Sequence, residues 1–333
     1  MKYFKVQFLF LLVISSCQLE TTDYVLPHST GRTNGILTVV KTSQWVGEVG
    51  DALRSVLGEH IVGLPQPETQ LSVSQVAPRG FIRMMKMNRN ILVIEQSDTV
   101  KIATIRNKYA APQTIVYLTA KDKKGLIALI EQRGKEVIAT FKAADIQFLQ
   151  HYFYKKKLAT TSFKTLGKLG IDFTIPKEFR LVDDTGAFFW LRQHLKSGLR
   201  GDGNNNLLVY SLPLPANYDA LTTAQILAAR DTIGKTYLPG SKEGRYMITE
   251  ALFTPETTTT TIAGMPAYET RGKWEVKNDF MAGPFLNYTI VDTANNRLLV
   301  VEGFTYAPSI NKREFVFELE AIAKSLKMGA PKK

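Results

Sequence analysis

Six residues in the C-terminal third have the types and spacing of a binding surface. Arg271 and Trp274 lie in one apolar-rich run, Tyr288 in the next, and Glu302 and Tyr306 in a third. Arg313 opens a final helical pattern. If the pairing register allows, Tyr288, Phe304 and Tyr306 share one sheet face, because residues i and i+2 of a strand point the same way. Aromatic rings edged by arginine and glutamate suit contact with a glycan or a peptide, since arginine offers a rigid fork of donors. The competing reading is a sheet face packed against the last helix.

Catalytic signatures are absent. The chain has no G-x-S-x-G elbow, no H-E-x-x-H, no P-loop and no G-x-G-x-x-G. Asp202-x-Asn204-x-Asn206 imitates the start of a calcium loop, but Leu207 stands where glycine is required and Pro213 where a bidentate acid is required. His28, His60, His151 and His194 have no ligand spacing. No catalytic residue, cofactor or metal is therefore assigned. A pair of carboxylates brought together by folding stays open, because their separation is set by the fold.

Cys17 is the only cysteine in 333 residues. It follows a short basic start, Met1 to Lys5, and an apolar run, Val6 to Ile14. That layout is a secretory signal over 1–16, too short to span a bilayer. Ile14-Ser15-Ser16-Cys17 looks like the lipobox of bacterial lipoproteins, which predicts acylation of Cys17. Two or more acyl chains hold a protein stably, since each buried methylene contributes about 0.8 kcal/mol. The expected address is the cell envelope. Gln18, where an aspartate would signal inner-membrane retention, points to the outer membrane. Either the periplasmic or the surface face is compatible.

The formal net charge is +12. The lysines and arginines are dispersed, and small clusters such as Lys155-Lys156-Lys157 fall near helix ends, where they complement the macrodipole. No basic face interleaved with aromatics is present, so nucleic acid is not an expected partner.

Elements must position these residues. Residues 17–34 read as a lipidated tether, 35–160 as a first α+β domain and 161–330 as a second. The first half reads as strands at 36–40, 71–76, 91–95, 100–105 and 114–118. The pair at 91–95 and 100–105 suggests a hairpin around Ser97-Asp98. Helices are expected at 43–58, 122–133 and 135–158. The second half reads as strands at 171–175, 179–182, 187–194, 207–212, 246–253, 258–263, 267–277, 285–291 and 298–305. Thr222 or Thr223 caps one helix, and another runs over 312–327. The expected fold is α+β: two packed halves, each a mainly antiparallel sheet with helices on its faces.

Several stretches also carry a resemblance. Trp45-Val46-Gly47-Glu48-Val49-Gly50-Asp51-Ala52-Leu53-Arg54, Arg89-Asn90-Ile91-Leu92, Gly283-Pro284-Phe285 and Glu302-Gly303-Phe304-Thr305-Tyr306-Ala307-Pro308 resemble a lipoprotein family of Bacteroidetes known only as a domain of unknown function. The resemblance spans nearly all of the mature chain. It implies an envelope address and supplies no catalytic residues. Separately, the strand rhythm of 171–212 and the capped helix after it are similar to the PsbP/Mog1-like α/β sandwich. The resulting expectation is a lipid-anchored envelope protein that binds a partner protein or envelope ligand, a glycan among them. The alternative is a periplasmic hydrolase acting on glycan or peptide.

Overall fold

The computed structural model describes residues 25–196 and 202–329. Residues 1–16, read from the sequence as a signal, and Cys17 lie outside the described residues. The first half begins with β1 (Gly35–Val39), followed by α1 (Thr42–Trp45) and α2 (Glu48–Leu57). Next come β2 (Ser72–Val76), α3 (Arg83–Lys86), β3 (Asn90–Gln96), β4 (Lys101–Arg106) and β5 (Thr114–Ala120). The strands form one five-stranded sheet in the order β2-β1-β3-β5-β4.

The α+β class and the two halves hold, but the strand direction in the first half does not match expectation. β1 pairs β2 and β3 in parallel, β3 pairs β5 in parallel, and only β4 is antiparallel. The 91–95/100–105 hairpin does not form, because β5 sits between those two strands. The physical reason lies in burial. The runs at 91–94 and 114–118 are buried on both faces, as central parallel strands are. β4 is largely exposed and is left at the edge.

α4 (Lys123–Tyr154) is one helix of 32 residues, where two were expected. Asp122 caps it by accepting from Gly125 N at 2.8 Å. Gly134 does not break the helix; it admits α2. A Cβ on Gly134 would fall 2.1 Å from Val56 Cγ1. Gly134→Ala should therefore lower stability by about 1–3 kcal/mol through overpacking, although alanine is the better helix former. Denaturant unfolding at equilibrium checks this. A variant as stable as the parent would show that the two helices part freely.

The second half adds α5 (Lys164–Leu169), β6 (Ile171–Asp172), β7 (Arg180–Asp184), β8 (Phe188–Leu195) and β9 (Gly203–Pro213). α6 (Thr223–Tyr237) starts at Thr222, which forms a reciprocal capping box with Gln225. β10 (Met247–Thr249), β11 (Glu256–Ile262), β12 (Met265–Val276), β13 (Ala282–Asp292) and β14 (Arg297–Tyr306) follow. α7 (Arg313–Ala323) and β15 (Lys327–Met328) close the described chain. The large sheet runs β10-β12-β13-β14-β9-β8-β7, with β11 beside β10 along β12, and every pairing is antiparallel. β6 pairs with β15.

α4 belongs to both cores. Leu126 to Phe141 pack with α2 and the first sheet, while Ile146, Leu149 and Phe153 pack with α7 and the second sheet. α6 covers the opposite face of the second sheet. The halves are also joined by Glu68, whose carboxylate accepts from Lys312 N at 2.7 Å and Arg313 N at 3.1 Å. A first-half acid thus caps the N-terminus of a second-half helix, where negative charge is favoured.

Candidate functional site

A cleft of 790 Å³ lies where α4 passes over the second sheet. Lys135, Lys142, Gln147 and Gln150 line it from α4; Glu256, Thr258 and Thr260 line it from β11. Glu269, Arg271, Glu320 and Lys324 complete it. The register explains this arrangement. Thr258 lies across from Glu269, and Glu269 across from Tyr288, so one row of side chains crosses three strands on the cleft side.

A charge network occupies the floor. Arg271 pairs with Glu269 at 2.6 Å and with Glu320 at 2.7 Å. Lys324 pairs with Glu320 at 2.6 Å, one turn along α7. Burial alone would raise the Glu320 carboxyl. Arg271, then Lys142 and Lys324, overcome that and hold it far below the usual carboxylate range. Burial pushes the Lys142 ammonium down, and its hydrogen bond goes to Gln70 Oε1 at 3.4 Å. Tyr288 is 0% exposed, and its hydroxyl has no partner of hydrogen-bonding geometry. Burial, with Glu320 and Glu269 nearby, pushes that phenol well up, so it stays protonated. The cleft therefore presents ammonium, guanidinium and amide donors, with Glu269 and Glu320 already paired on its floor and Glu59 and Glu256 on its walls.

The six sequence-selected residues do not form one surface. Tyr288 lies across from Val301, and Phe285 lies across from Phe304. Tyr288 therefore faces away from Phe304 and Tyr306, and the shared aromatic platform does not exist. A one-residue difference in register moves a side chain to the other face. Arg271 lines the cleft, and Tyr288 is fully buried on the same face of the sheet. Trp274 is buried beneath α6, with its ring 5.4 Å from Phe304 and 6.3 Å from Tyr306. Tyr306 is half-buried there. Glu302 is buried, lies 3.0 Å from the Arg230 guanidinium and accepts from Asn287 Nδ2 at 2.9 Å. Arg313 is committed to the first half, donating to Thr69 O at 2.9 Å and Ser72 Oγ at 2.7 Å.

Sequence reasoning missed Lys142, Glu269, Glu320 and Lys324. One signal was available. Glu320 stands between Leu319 and Ile322 on the inward stripe of the last helix, and an acid there needs a partner. Lys324 follows it at i+4. Nothing local marks Lys142, whose place depends on how α4 crosses the second sheet. Among the described residues no group of three or more His, Cys, Asp or Glu is placed to hold a metal ion. No described helix is long and apolar enough to cross a membrane.

The chain belongs to the family described as domain of unknown function DUF4837, which matches residues 157–325. A second domain of unknown function, DUF8532, matches residues 29–154. No curated protein matches. Among solved structures, the chain is similar to LpqN, involved in cell envelope biogenesis of Mycobacterium tuberculosis, at 14% identity and a TM-score of 0.29. That likeness covers 48% of this chain and 83% of LpqN. It is also similar to the Ran-binding protein Mog1p of Saccharomyces cerevisiae, at 10% identity and a TM-score of 0.31, over 48% of this chain and 90% of Mog1p.

Proposed function

We propose that this member of the DUF4837 family is a lipid-anchored protein of the bacterial outer membrane, and that its inter-half cleft binds an envelope ligand. The ligand class is a glycan or peptide segment bearing anionic and hydroxyl groups. We place the division of the body near residue 160, with the cleft between the two units. The observation that carries the reading is the convergence of Lys142, Arg271 and Lys324 in one cleft. Threonine and glutamine side chains on the walls suit hydroxyl-rich ligands. Glu269 and Glu320 on the floor are committed to Arg271 and Glu320 is held low, so neither is placed as the general acid that hydrolysis needs.

The anchor rests on Ile14-Ser15-Ser16-Cys17 and on the lack of any second cysteine. The test has two arms. Cys17→Ala should abolish palmitate labelling and release or mis-sort the protein; an unmodified native Cys17 by intact mass would overturn the anchor. Lys142→Met should reduce capture of cell-wall glycan and peptide fragments from an array at least tenfold, with the melting temperature kept. Capture equal to the parent's would remove the cleft as the site.

A further inference from the structure

Residues 78–87 link β2 to β3 across the face of the first sheet that points away from α4. The alternation of the strands shows this. Ile36, Leu92, Ile94, Val116 and Leu118 pack toward α2 and α4, whereas Val39, Ile91, Val93 and Ile115 pack with Phe81, Tyr109 and Tyr117. Phe81 and Tyr109 meet edge to face at 6.1 Å and hold the crossing down. Two apolar side chains nevertheless point outward: Ile82 is 59% exposed and Met84 is 70% exposed.

Cations surround them. Arg79 and Arg83 are exposed. The Lys86 and Lys108 ammonium groups lie over the Tyr109 ring at 5.2 and 5.1 Å. Among the described residues none of these four takes part in an ion pair. Exposed apolar side chains ringed by unpaired cations match the boundary of an anionic bilayer, where each basic residue contributes about 1 kcal/mol and apolar groups enter the headgroup layer.

The chain's entry point selects this occupant over others. Residues 27–30 enter the fold beside the crossing. Thr30 N donates to Met87 O at 2.8 Å, Arg89 N to Thr30 O at 2.7 Å, and Ala111 N to Pro27 O at 2.9 Å. The stretch from Cys17 to Val25 reaches at most about 28 Å when fully extended. A body tethered at Cys17 therefore keeps Val25 within that distance of the lipid, and the chain passes from there to the edge of this patch.

We propose that Arg79, Ile82, Arg83, Met84, Lys86 and Lys108 form a docking surface for the anionic lipid bilayer to which the N-terminus is tethered. The inference rests on the lipid-anchor reading for its geometry, and its chemistry is independent of the acyl group. Docking on this face turns α4 away from the bilayer.

The test is vesicle flotation of the mature chain expressed from residue 18, so that neither the apolar run 6–14 nor an acyl group contributes. Binding is expected to vesicles of mixed phosphatidylglycerol and phosphatidylcholine, to weaken with salt, and to be absent with phosphatidylcholine alone. Arg79→Glu with Arg83→Glu should weaken it at least tenfold, since removing one cation near a charged surface is worth about fivefold. Ile82→Ser with Met84→Ser should also weaken it. Both double variants should keep the parental melting temperature, because the four side chains are exposed. No binding to anionic vesicles, or binding unchanged in both variants, would overturn the docking surface. A dimer seen by light scattering and dissolved by the same variants would assign the patch to a second copy instead. If native Cys17 proves unmodified while flotation behaves as expected, the anchor falls and the surface stands. The reverse pattern removes the surface and leaves the anchor.

Discussion

Replacing Asp145 with alanine is expected to destabilise the fold by about 3–5 kcal/mol, the usual cost of stripping one partner from a buried ion pair. Asp145 is 0% exposed in the middle of α4. One carboxylate oxygen accepts from Arg89 Nε at 2.8 Å. The other accepts from Asn34 N at 2.7 Å and Asn90 Nδ2 at 3.0 Å. These donors stand at the entrances of β1 and β3, so a single carboxylate sets where two parallel strands begin against the helix. Asn34 holds a left-handed backbone with φ of 54° and donates from its side chain to Glu314 Oε2 at 3.0 Å. The same node therefore reaches into the second half. Alanine would leave the Arg89 guanidinium buried against the Phe148 ring, 3.9 Å from its centroid, with its counter-charge gone. For a body of this size the loss corresponds to a fall in melting temperature on the order of 10 °C. Asp145→Asn keeps the volume and some hydrogen bonds and should lose less. Thermal and denaturant unfolding of both variants, followed by probes in each half, checks the result. An alanine variant within about 1 kcal/mol of the parent would show that the node does not anchor the strands.

How far the sequence reveals this molecule depends on how local each signal is. Patterns within one segment were legible: the β13–β14 hairpin, the Thr222 cap, the α7 stripe and the α+β class with two halves. So was the likeness to a domain of unknown function. Long-range choices were not. The direction of β1, β3 and β5 is set by crossovers and by burial on both faces. Their continuous apolar runs fit parallel pairing better than the alternation expected of a one-sided antiparallel sheet. Gly134 reads as a helix break in isolation, and only the approach of Val56 shows why a glycine is there. The candidate site failed for a similar reason. Arg271 and Tyr288 were selected together with Trp274, Glu302 and Tyr306, but strand register divides them between two faces. Glu320 and Lys324 were visible as charges on an inward stripe, while Lys142 joins them only because a 32-residue helix bridges both cores.

Glu320→Gln should cost a comparable amount, about 3–5 kcal/mol at neutral pH, and the cost should disappear in acid. Glutamine keeps the shape of the side chain and removes its charge. Arg271, Lys324 and Lys142 would then converge on the cleft floor with Glu269 as the remaining acid beside Arg271. The sign follows from the direction of the shift. The folded-state pKa of Glu320 is depressed, so its contribution is fully present above the unfolded value of 4.5 and is lost as pH falls toward the folded value. The stability gap between parent and variant should therefore shrink steadily below pH 4.5. Two residues away, Glu318 has the opposite character. Burial, with Glu314 and Glu178 nearby, pushes it up to about 7. A raised carboxyl adds stability below pH 4.5 and loses it as pH rises through 7, so Glu318→Gln should gain on the parent at about pH 8 and not at about pH 4. Urea unfolding of the parent and both variants across this range separates the two slopes. A Glu320→Gln deficit that stays constant with pH would mean that the side chain acts through packing alone. Its three cations would then be held apart by Glu269 and solvent, and the cleft floor would be an ordinary surface network without the electrostatic tension that a bound anion could relieve.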